Sequence, residues 1–352
     1  MQCANVAIDV TSNETNTPVT DDTNTTDDSS SNNNGGTNTD NSVKLVAIGY
    51  TTILTSTDGE SWNTLTHNFD INFYKVKYYN SAFWITGSKG NILKSTDGLT
   101  WINKTGTDFP DRYFQDIHCE GNNCKVAGLN GVPTPSQGTI LSTTDGGETW
   151  TEENPNTSFN QLQSVIYSGN TTKPGWYSVG YNGSITRLLN IASGWASTGT
   201  DYSNGDPLSG VLEFNNFLYA IDYDGHLIRS ADGDTWTNNI GGSLASPTGP
   251  CDGRRAHDFL YSGSNIIMFC RNDSSNTQSV YTSTNMENWT DISPANDASN
   301  TYRFIWGGEI YDDHYYVVTN HGKIGRRSFT GNSWTELTSG TSTALYDIAG
   351  KR

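Results

Sequence analysis

Two aspartates and a histidine occur close together in the segment Asp222-Tyr223-Asp224-Gly225-His226. Carboxylate oxygens bind hard cations such as calcium, and an imidazole beside a carboxylate can exchange a proton. Asp and Gly are also typical of ordinary solvent-exposed turns, because they tolerate tight backbone conformations. The segment therefore leaves a calcium site, an acid and a solvated turn as alternatives, of which we favour the turn.

Basic residues concentrate in or beside predicted loops of the last third of the chain. They are Arg254, Arg255, His257, Arg271, Arg303, His321 and Lys323. On a chain with a net charge of −17, such a patch could receive an acidic partner or an anionic sugar. The alternative is that these residues rim loops and pair with neighbours such as Asp252 and Asp258. Tyr50, Tyr181 and Tyr223 occupy similar loop positions and could stack on sugars or only rim a channel.

Three further aspartates, Asp116, Asp258 and Asp347, recur at one position of similar segments, as in Phe114-Gln115-Asp116-Ile117 and Leu345-Tyr346-Asp347-Ile348. Recurrence in equivalent segments indicates a structural constraint more than a catalytic role. Ser-His-Asp, metal-ligand and phosphate-loop patterns do not stand out elsewhere. We therefore expect no catalytic residue, no cofactor and no metal.

A short motif that recurs along the chain predicts the elements that position these residues. Four strong copies run from Ser56 to Trp62, Ser95 to Trp101, Thr143 to Trp150 and Ser230 to Trp236, with aspartates Asp58, Asp97, Asp145 and Asp232. Weaker copies end at Trp289 and Trp334, and a seventh, at Trp195, lacks the aspartate. The aspartate can accept hydrogen bonds from turn N–H groups, the glycine supplies positive φ, and the tryptophan buries a large face. We interpret the motif as a structural clip between strands.

The seven motif tryptophans lie 39 to 53 residues apart, which is the period of a propeller blade. The second repeat shows four predicted strands, at 73–79, 82–87, 91–95 and 100–104, and corresponding units start near Tyr113, Gln161, Leu208, Ala256 and Arg303. The first repeat starts at Val43 without an inner strand, and 345–350 matches the missing strand in pattern. The sequence therefore predicts an all-β, seven-bladed β-propeller over 43–352, closed by that C-terminal strand.

Topology also predicts a binding face. Loops between second and third strands, and loops between blades, must emerge on the face opposite the aspartate turns. The longest of these facing loops are 128–138, 199–207, 241–254, 271–278 and 293–302. Long, varied loops on a rigid scaffold are where binding usually resides, so this loop-rich face is the predicted site.

The repeated segments resemble Asp-box repeats, also called bacterial neuraminidase repeats. The longer unit from Phe114 through Val126-Ala127-Gly128 and Gly138–Leu141 to Trp150 is similar to repeats of photosystem II stability/assembly factor-like propellers. The resemblance covers roughly 43–350 and implies the fold more than an activity, because such propellers include sialidases, xyloglucan-cleaving enzymes, sortilin-type receptors and assembly factors.

Two enzyme classes with such repeats, sialidases and xyloglucan-cleaving enzymes, need features that can be looked for in this sequence. A sialidase needs three converging arginines, the first near the start of a six-bladed propeller, but no arginine precedes Arg112 here. A xyloglucan-cleaving enzyme of the related class uses two aspartates across a cleft between two propellers. The sequence predicts a single propeller, which cannot form such a cleft, and this disfavours the xyloglucan-cleaving activity.

Composition adds bounds on localisation and partners. The net charge argues against nucleic acid, since phosphate binding needs a cationic surface. Residues 1–42 hold seven acidic residues and no Lys or Arg, and their Asn, Thr, Asp, Ser and Gly predict a disordered tether. Cys3 resembles the lipidated cysteine of a bacterial lipoprotein and predicts possible membrane attachment. An unpaired thiol and pairing with another chain remain alternatives, since no apolar signal region precedes Cys3.

The other four cysteines favour an oxidising compartment. Cys119 and Cys124 flank a turn-like segment between two strands, and Cys251 and Cys270 fall at the same end of a predicted antiparallel pair. We therefore predict two disulfides, Cys119–Cys124 and Cys251–Cys270, with reduced buried thiols as the alternative. The expected location is exported, either periplasmic, outer-membrane-anchored or at the cell surface.

These patterns lead to one functional hypothesis and one alternative. The hypothesis is a non-catalytic, exported binding or assembly scaffold that recognises a protein or a glycan through the loop-rich face. The alternative is a carbohydrate-active hydrolase or lyase on the same propeller.

Overall fold

Antiparallel strands make up nearly all the regular structure of the chain. The computed structural model describes residues 41–131, 137–153, 160–169, 171–190, 194–197, 206–238, 251, 255–272, 277–294 and 304–352. Those residues form seven four-stranded sheets, or blades, and one short 3₁₀ turn at Tyr181–Gly183. In this part of the chain no helix has the length and apolar character needed to cross a bilayer. The predicted tether at 1–42, including Cys3, lies outside the described residues except for its last two positions.

The blades follow one another along the chain, and each runs from an inner to an outer strand. Blade 1 contains β1 (Leu45–Gly49), β2 (Thr52–Ser56) and β3 (Asn63–Thr64). Blade 2 contains β4 (Phe73–Tyr79), β5 (Ala82–Gly87), β6 (Ile92–Ser95) and β7 (Ile102–Asn103). Blade 3 contains β8 (Arg112–Glu120), β9 (Asn123–Asn130), β10 (Gln137–Thr143) and β11 (Thr151–Glu153). Blade 4 contains β12 (Leu162–Ser168), β13 (Gly175–Gly180), β14 (Ile185–Asn190) and β15 (Gly194–Ser197).

The remaining blades repeat this order. Blade 5 contains β16 (Leu208–Phe214), β17 (Phe217–Asp222), β18 (Leu227–Ser230) and β19 (Thr237–Asn238). Blade 6 contains β20 (Arg255–Ser262), β21 (Asn265–Asn272), β22 (Thr277–Ser283) and β23 (Thr290–Asp291). Blade 7 contains β24 (Ile305–Tyr311), β25 (His314–Thr319), β26 (Ile324–Ser328) and β27 (Thr335–Leu337). The last strand, β28 (Asp347–Gly350), returns to blade 1.

The ring closes as the sequence predicts. Strand β28 pairs antiparallel with β1 in the register Leu45↔Gly350 to Ile48↔Asp347, which makes it the inner strand of blade 1. The seven-bladed fold with four-stranded blades is therefore confirmed. The predicted strands of blade 2 are also close to the observed ones, with the outer strands shorter than expected.

The core consists of seven separate apolar clusters, and each one joins two neighbouring blades. The cluster between blades 1 and 2, for example, packs Val46 and Ile48 against Phe73 and Val76. Strand residues alternate between the two faces of a sheet, so each blade has two apolar faces to bury. Every blade is therefore stabilised by its neighbours on both sides.

The aspartate turns have the clip geometry that the sequence predicts. In blade 2, Asp97 Oδ1 accepts hydrogen bonds from Leu99 N at 2.8 Å, Thr100 N at 2.7 Å and Ser95 Oγ at 2.9 Å. Gly98 has φ +75°, and Trp101 Nε1 donates to Gly98 O at 3.2 Å. The aspartate caps N–H groups that the turn leaves without a strand partner.

Blade 6 forms the same turn with different residues. Asn285 Oδ1 accepts from Glu287 N and Asn288 N, so an amide oxygen replaces the carboxylate. Met286 stands where the other turns have glycine and keeps a positive φ of 64°. Its side chain is fully buried in the cluster between blades 5 and 6, which offsets the backbone strain.

Both predicted disulfides are present. Cys119 and Cys124 face each other across the β8–β9 hairpin with a Cα–Cα distance of 4.0 Å. Cys251 precedes blade 6 and bonds Cys270 at the end of β21, with a Cα–Cα distance of 5.3 Å. The bridges fix one hairpin and one blade entrance.

Substitutions at Asp97 test the clip. We expect Asp97→Ala to lower the free energy of unfolding by about 1 kcal/mol, the usual cost of removing a side-chain cap. Asp97→Asn should cost less, because an amide oxygen already serves this role at Asn285. Urea unfolding of both variants measures the difference, and equal losses for Ala and Asn would contradict the role of the oxygen acceptor.

Candidate functional site

A channel runs along the axis of the ring and encloses a cavity of about 580 Å³. Its walls come from the inner strands of all seven blades, together with residues from the loop-rich face such as Tyr223. A cavity of this size suits a small ligand or the end of a larger one. Tyr223, in the loop between the second and third strands of blade 5, lines the cavity on the side of the predicted binding face.

A β-bulge recurs near the start of the inner strands of blades 2 to 7, as at Phe73/Lys75 and Phe114/Asp116. The bulge places a residue of equivalent position from each blade beside the channel. These residues are Lys75, Asp116, Ser164, Gly210, Asp258 and Gly307, with Asp347 of β28 at the matching position of blade 1. The bulge therefore determines which side chains ring the channel.

Two of the repeated aspartates join neighbouring blades. Asp116 Oδ2 accepts hydrogen bonds from Val165 N at 3.1 Å and Ser164 Oγ at 2.8 Å, both in the next blade. Asp347 Oδ2 accepts from Val76 N at 2.9 Å, again one blade further on. Both carboxylates thus satisfy backbone N–H groups that the bulge leaves unpaired. These contacts agree with the structural role that the recurrence of these residues predicts.

Lys75 occupies the aspartate position in blade 2 and reaches across the channel. Its Nζ donates to Asp258 Oδ2 of blade 6 and lies 3.8 Å from Asp347 Oδ2 of blade 1. Burial raises the pKa of Asp347 to about 6, although the charge of Lys75 opposes this. Burial acts in the same direction on Asp258, but the charges of Lys75 and Lys77, with hydrogen bonds from Lys75 and Phe259 N, together outweigh it and lower the pKa of that carboxyl. The Lys75–Asp258–Asp347 group therefore forms a charged crosslink between three blades.

Further along the channel, His118 and Tyr79 form a polar pair. The Tyr79 hydroxyl lies 3.1 Å from His118 Nδ1. Burial, assisted by the charge of Lys77, lowers the pKa of His118 to about 4, so the imidazole is neutral at physiological pH. On the other side, Glu309 Oε1 pairs with Arg352, and Glu309 Oε2 accepts from Gly350 N at 3.1 Å.

Aromatic residues surround the mouth of the channel on the loop-rich face. The rings of Tyr50 and Tyr346 lie 5.2 Å apart, and Trp306 lies 5.8 Å from Tyr346. Tyr181 and Tyr223, both predicted at loop positions, are in contact, with ring centroids 6.0 Å apart. Tyr50 is about half exposed at 48% and has a positive φ of 44°, which is unusual for an aromatic residue.

Only part of the predicted basic patch can be placed. The guanidinium of Arg271 lies 4.1 Å from the ring centroid of Phe304, and Phe304 stacks on His321 at 6.4 Å. Lys323 pairs with Glu336, as the alternative of neighbouring ion pairs predicted. Arg254 and Arg303, and the side chains of Arg255 and His257, lie outside the described residues, as does most of the five predicted long loops.

The turn at Asp222 is more organised than a solvated loop. Asp222 is fully buried, and its two oxygens accept from His226 N at 2.7 Å and contact His226 Nδ1 at 2.8 Å. Asp206 lies within 4.8 Å of both. The hydrogen bond with Asp222 is the main cause that raises the pKa of His226, and burial opposes it. Asp222 thus caps its own turn, as Thr319 Oγ1 does for Lys323 N in blade 7.

Sequence reasoning missed the lysines of the channel. Lys75 and Lys77 attract no attention as single residues in β4. An alignment of the seven inner strands on Asp116 and Asp347 places Lys75 at their position, and this signal could have identified it. Nothing in the sequence shows that Lys75 faces Asp258, because that contact depends on ring geometry.

Comparisons with known proteins support the fold. No family model matches the sequence, and no curated protein matches it. Among solved structures, the chain is similar to YCF48 bound to a D1 peptide, with 16% identity and a TM-score of 0.54 over 75% of this chain and 81% of that one. It is also similar to YCF48 from Cyanidioschyzon merolae, with 16% identity and a TM-score of 0.55 over 81% of this chain and 90% of that one.

A glycoside hydrolase has the same architecture. The GH74 xyloglucanase from Xanthomonas campestris is 12% identical, with a TM-score of 0.58 over 84% of this chain. The match spans 47% of the xyloglucanase, so this chain corresponds to about half of that enzyme. At these identities the similarities show a shared propeller fold and nothing finer.

The channel crosslink can be tested through Lys75→Met. This change leaves Asp258 and Asp347 buried without their cation, so we expect the free energy of unfolding at pH 7 to fall by about 3 kcal/mol. The folded-state pKa of both carboxyls should then lie above the unfolded value, so protonation favours the folded state. Denaturation curves should therefore show a smaller loss at pH 5 than at pH 7.

A matched double variant separates the effect of the lost Lys75 charge from the effect of lost packing. Adding Asp258→Asn to Lys75→Met removes one stranded carboxylate and should recover part of the loss at pH 7. A loss of equal size at pH 5 and pH 7 would indicate that Lys75 contributes packing alone.

The two histidines should titrate on opposite sides of the ordinary value. NMR titration is expected to give His118 a pKa near 4 and His226 a pKa above 6.5. Asp222→Asn should lower the pKa of His226 and leave that of His118 unchanged. Because the pKa of His226 is raised by folding, its contribution to stability is present below 6.5 and is lost as the pH rises through the folded-state value. Similar pKa values for both imidazoles would contradict the burial of His118.

Proposed function

We propose that this chain is a non-catalytic binding or assembly scaffold that recognises a protein or a glycan through the loop-rich face. The observation that carries this proposal is the pairing of the channel carboxylates. Asp116 and Asp347 accept backbone N–H groups, Asp258 and Asp347 share Lys75, and Glu309 pairs with Arg352.

Paired carboxylates are poorly suited to glycoside hydrolysis. That reaction needs one protonated acid beside the leaving group and one free carboxylate on the opposite face of the sugar. The contacts of Asp258 with Lys75 lower the pKa of Asp258 and occupy an oxygen, so it is a weak candidate for the acid. Asp347, whose pKa is near 6, is largely ionised at neutral pH and is held by Val76 N.

Features of the loop-rich face support binding. The aromatic mouth formed by Tyr50, Tyr346 and Trp306 offers ring faces and hydroxyl groups, which suit peptides as well as sugars. Arg271, held over Phe304, provides a cation on the same face. A YCF48 structure with a bound D1 peptide is consistent with the protein branch of the proposal.

The proposal extends to the environment of the protein. We infer an exported protein, because two disulfides persist in oxidising compartments. The aspartate clips support assignment of the repeats to the Asp-box type. A flexible tether at 1–42 with a lipidated Cys3 would hold the propeller at a membrane, and detection of a lipid on Cys3 by mass spectrometry tests that part separately.

A glycan array and a peptide array, each followed by product analysis, test the proposed function. We expect retention of a glycan or a peptide without cleavage. The double change Arg271→Ala and Tyr181→Ala should weaken that retention by about tenfold or more, because both residues lie on the loop-rich face. Lys173→Ala, an exposed change at an ion pair with Asp234 on the opposite face, serves as the control. Cleavage of any retained glycan would establish the enzymatic alternative instead.

A further inference from the structure

The β-bulge of the inner strands releases one residue per blade from sheet pairing. In blade 2, for example, the pairing of β4 with β5 passes from Phe73 directly to Lys75, so Tyr74 has no partner on β5. The equivalent residues of the other blades, where the structure describes the side chain, are Gln115, Gln163, Ser209, Trp306 and, just before β28, Tyr346. These residues and Tyr74 all line the channel, and together they form the bulge ring.

The bulge ring differs from the position that follows it in each strand. The residues of that next position, such as Asp116 and Asp347, bond backbone N–H groups of the neighbouring blade, and this contact explains their charge. The side chains of the bulge ring belong to none of the seven apolar clusters formed by the described residues. Packing and blade joining therefore do not explain which residue types form the ring.

One half of the bulge ring is aromatic. The consecutive blades 7, 1 and 2 contribute Trp306, Tyr346 and Tyr74. The ring centroids of Trp306 and Tyr346 lie 5.8 Å apart, and Tyr50 on the loop-rich face lies 5.2 Å from Tyr346. All three side chains of the aromatic half are only half-buried, so part of each ring is accessible from the channel.

The other half of the bulge ring is polar and uncharged. Blades 3, 4 and 5 contribute the amide groups of Gln115 and Gln163 and the hydroxyl group of Ser209, and Tyr223 adds one ring on this side. Ser209 Oγ donates to Ile221 O at 3.3 Å, but neither glutamine amide has a hydrogen-bond partner among the described residues. A half-buried amide has donor and acceptor groups that need water or a ligand as a partner.

The charges next to the bulge ring are predominantly negative. Asp116, Asp258 and Asp347 occupy the following position in three blades, and Lys75 is the cation that pairs with two of them. This surplus of carboxylates repels an acidic ligand and does not repel a neutral one. The site therefore favours a ligand that is uncharged, has an apolar face and forms several hydrogen bonds.

We infer that the mouth of the channel binds a neutral saccharide, with a sugar ring stacked on the aromatic half and hydroxyl groups on Gln115 and Gln163. Sugar rings have apolar C–H faces that pack on aromatic side chains, and each hydroxyl both donates and accepts, as an amide does. The cavity of about 580 Å³ accommodates the end of a short oligosaccharide. The inference rests on the proposed function, because the inner strands begin at the loop-rich face, and it selects the glycan branch of that proposal.

Calorimetric titration with short oligosaccharides tests the ligand class. Cellotetraose, laminaritetraose, maltotetraose and mannotetraose are the neutral probes, and tetragalacturonate is the acidic one. We expect saturable binding of at least one neutral probe, about tenfold or more tighter than tetragalacturonate. Equal or tighter binding of tetragalacturonate, or no saturable binding of any neutral probe, would overturn the inference.

The outcomes distinguish this inference from the proposed function. If the peptide array retains a ligand while every neutral probe fails, the saccharide class is wrong and the scaffold proposal stands. Cleavage of a bound neutral probe would contradict the non-catalytic scaffold and leave the saccharide class intact.

Variants assign the contacts. Gln163→Leu keeps the size of the side chain but removes its hydrogen bonds, so it should weaken binding of the neutral probe about tenfold, and Gln115→Leu is an independent test. Gln137→Leu makes the same change at a glutamine that does not line the cavity and should have no effect. Tyr346→Phe keeps the ring and should lose less affinity than Tyr346→Ala. Unchanged affinity in both variants of the channel glutamines would rule out this site.

Discussion

The pairing of β28 with β1 is the interaction on which the rest of the structure depends. Each blade buries both faces against its neighbours, and such an arrangement is stable only when no blade is left at an end. Four residue pairs, from Leu45↔Gly350 to Ile48↔Asp347, close the ring and remove the open edge. The channel exists because the ring is closed, so the candidate site also depends on the pairing of β28 with β1.

Within the ring, the recurring bulge explains why charged side chains lie beside the channel. Bulges leave backbone N–H groups beside the channel, and Asp116 and Asp347 satisfy such groups in the adjacent blade. Carboxylates so near one another need a counterion, and Lys75 supplies it across the channel. The charges of Lys75, Asp258 and Asp347 at the centre of the ring are thus explained by blade joining.

The sequence predicted the architecture well because the repeat carries local information. The spacing of the motif tryptophans, the glycine turns and the pattern of 345–350 all act within one or two blades, and strand alternation determines the rest. The disulfides were predictable for the same reason, since each joins residues of one hairpin or one strand pair. The outer strand of blade 2 was predicted too long, at 100–104, whereas its pairing covers only Ile102–Asn103.

The channel could not be predicted in the same way. The partnership of Lys75 with Asp258 joins blades 2 and 6, and it depends on which blades stand opposite each other in a ring of seven. Residue types alone drew attention to arginines of the predicted loops and to Asp222, whose carboxylate proves to cap its own turn. Long-range geometry decides which charged groups are left unsatisfied, and that information is not present in any single repeat.

The closing strand also has a consequence for biosynthesis. Blade 1 begins to emerge from the ribosome early, but its inner strand is made only after the other six blades. Until then β1 presents an unpaired edge, and the faces of blades 1 and 7 that later meet remain exposed to solvent. The nascent chain must therefore be shielded from premature association until β28 has been made, or fold after release from the ribosome.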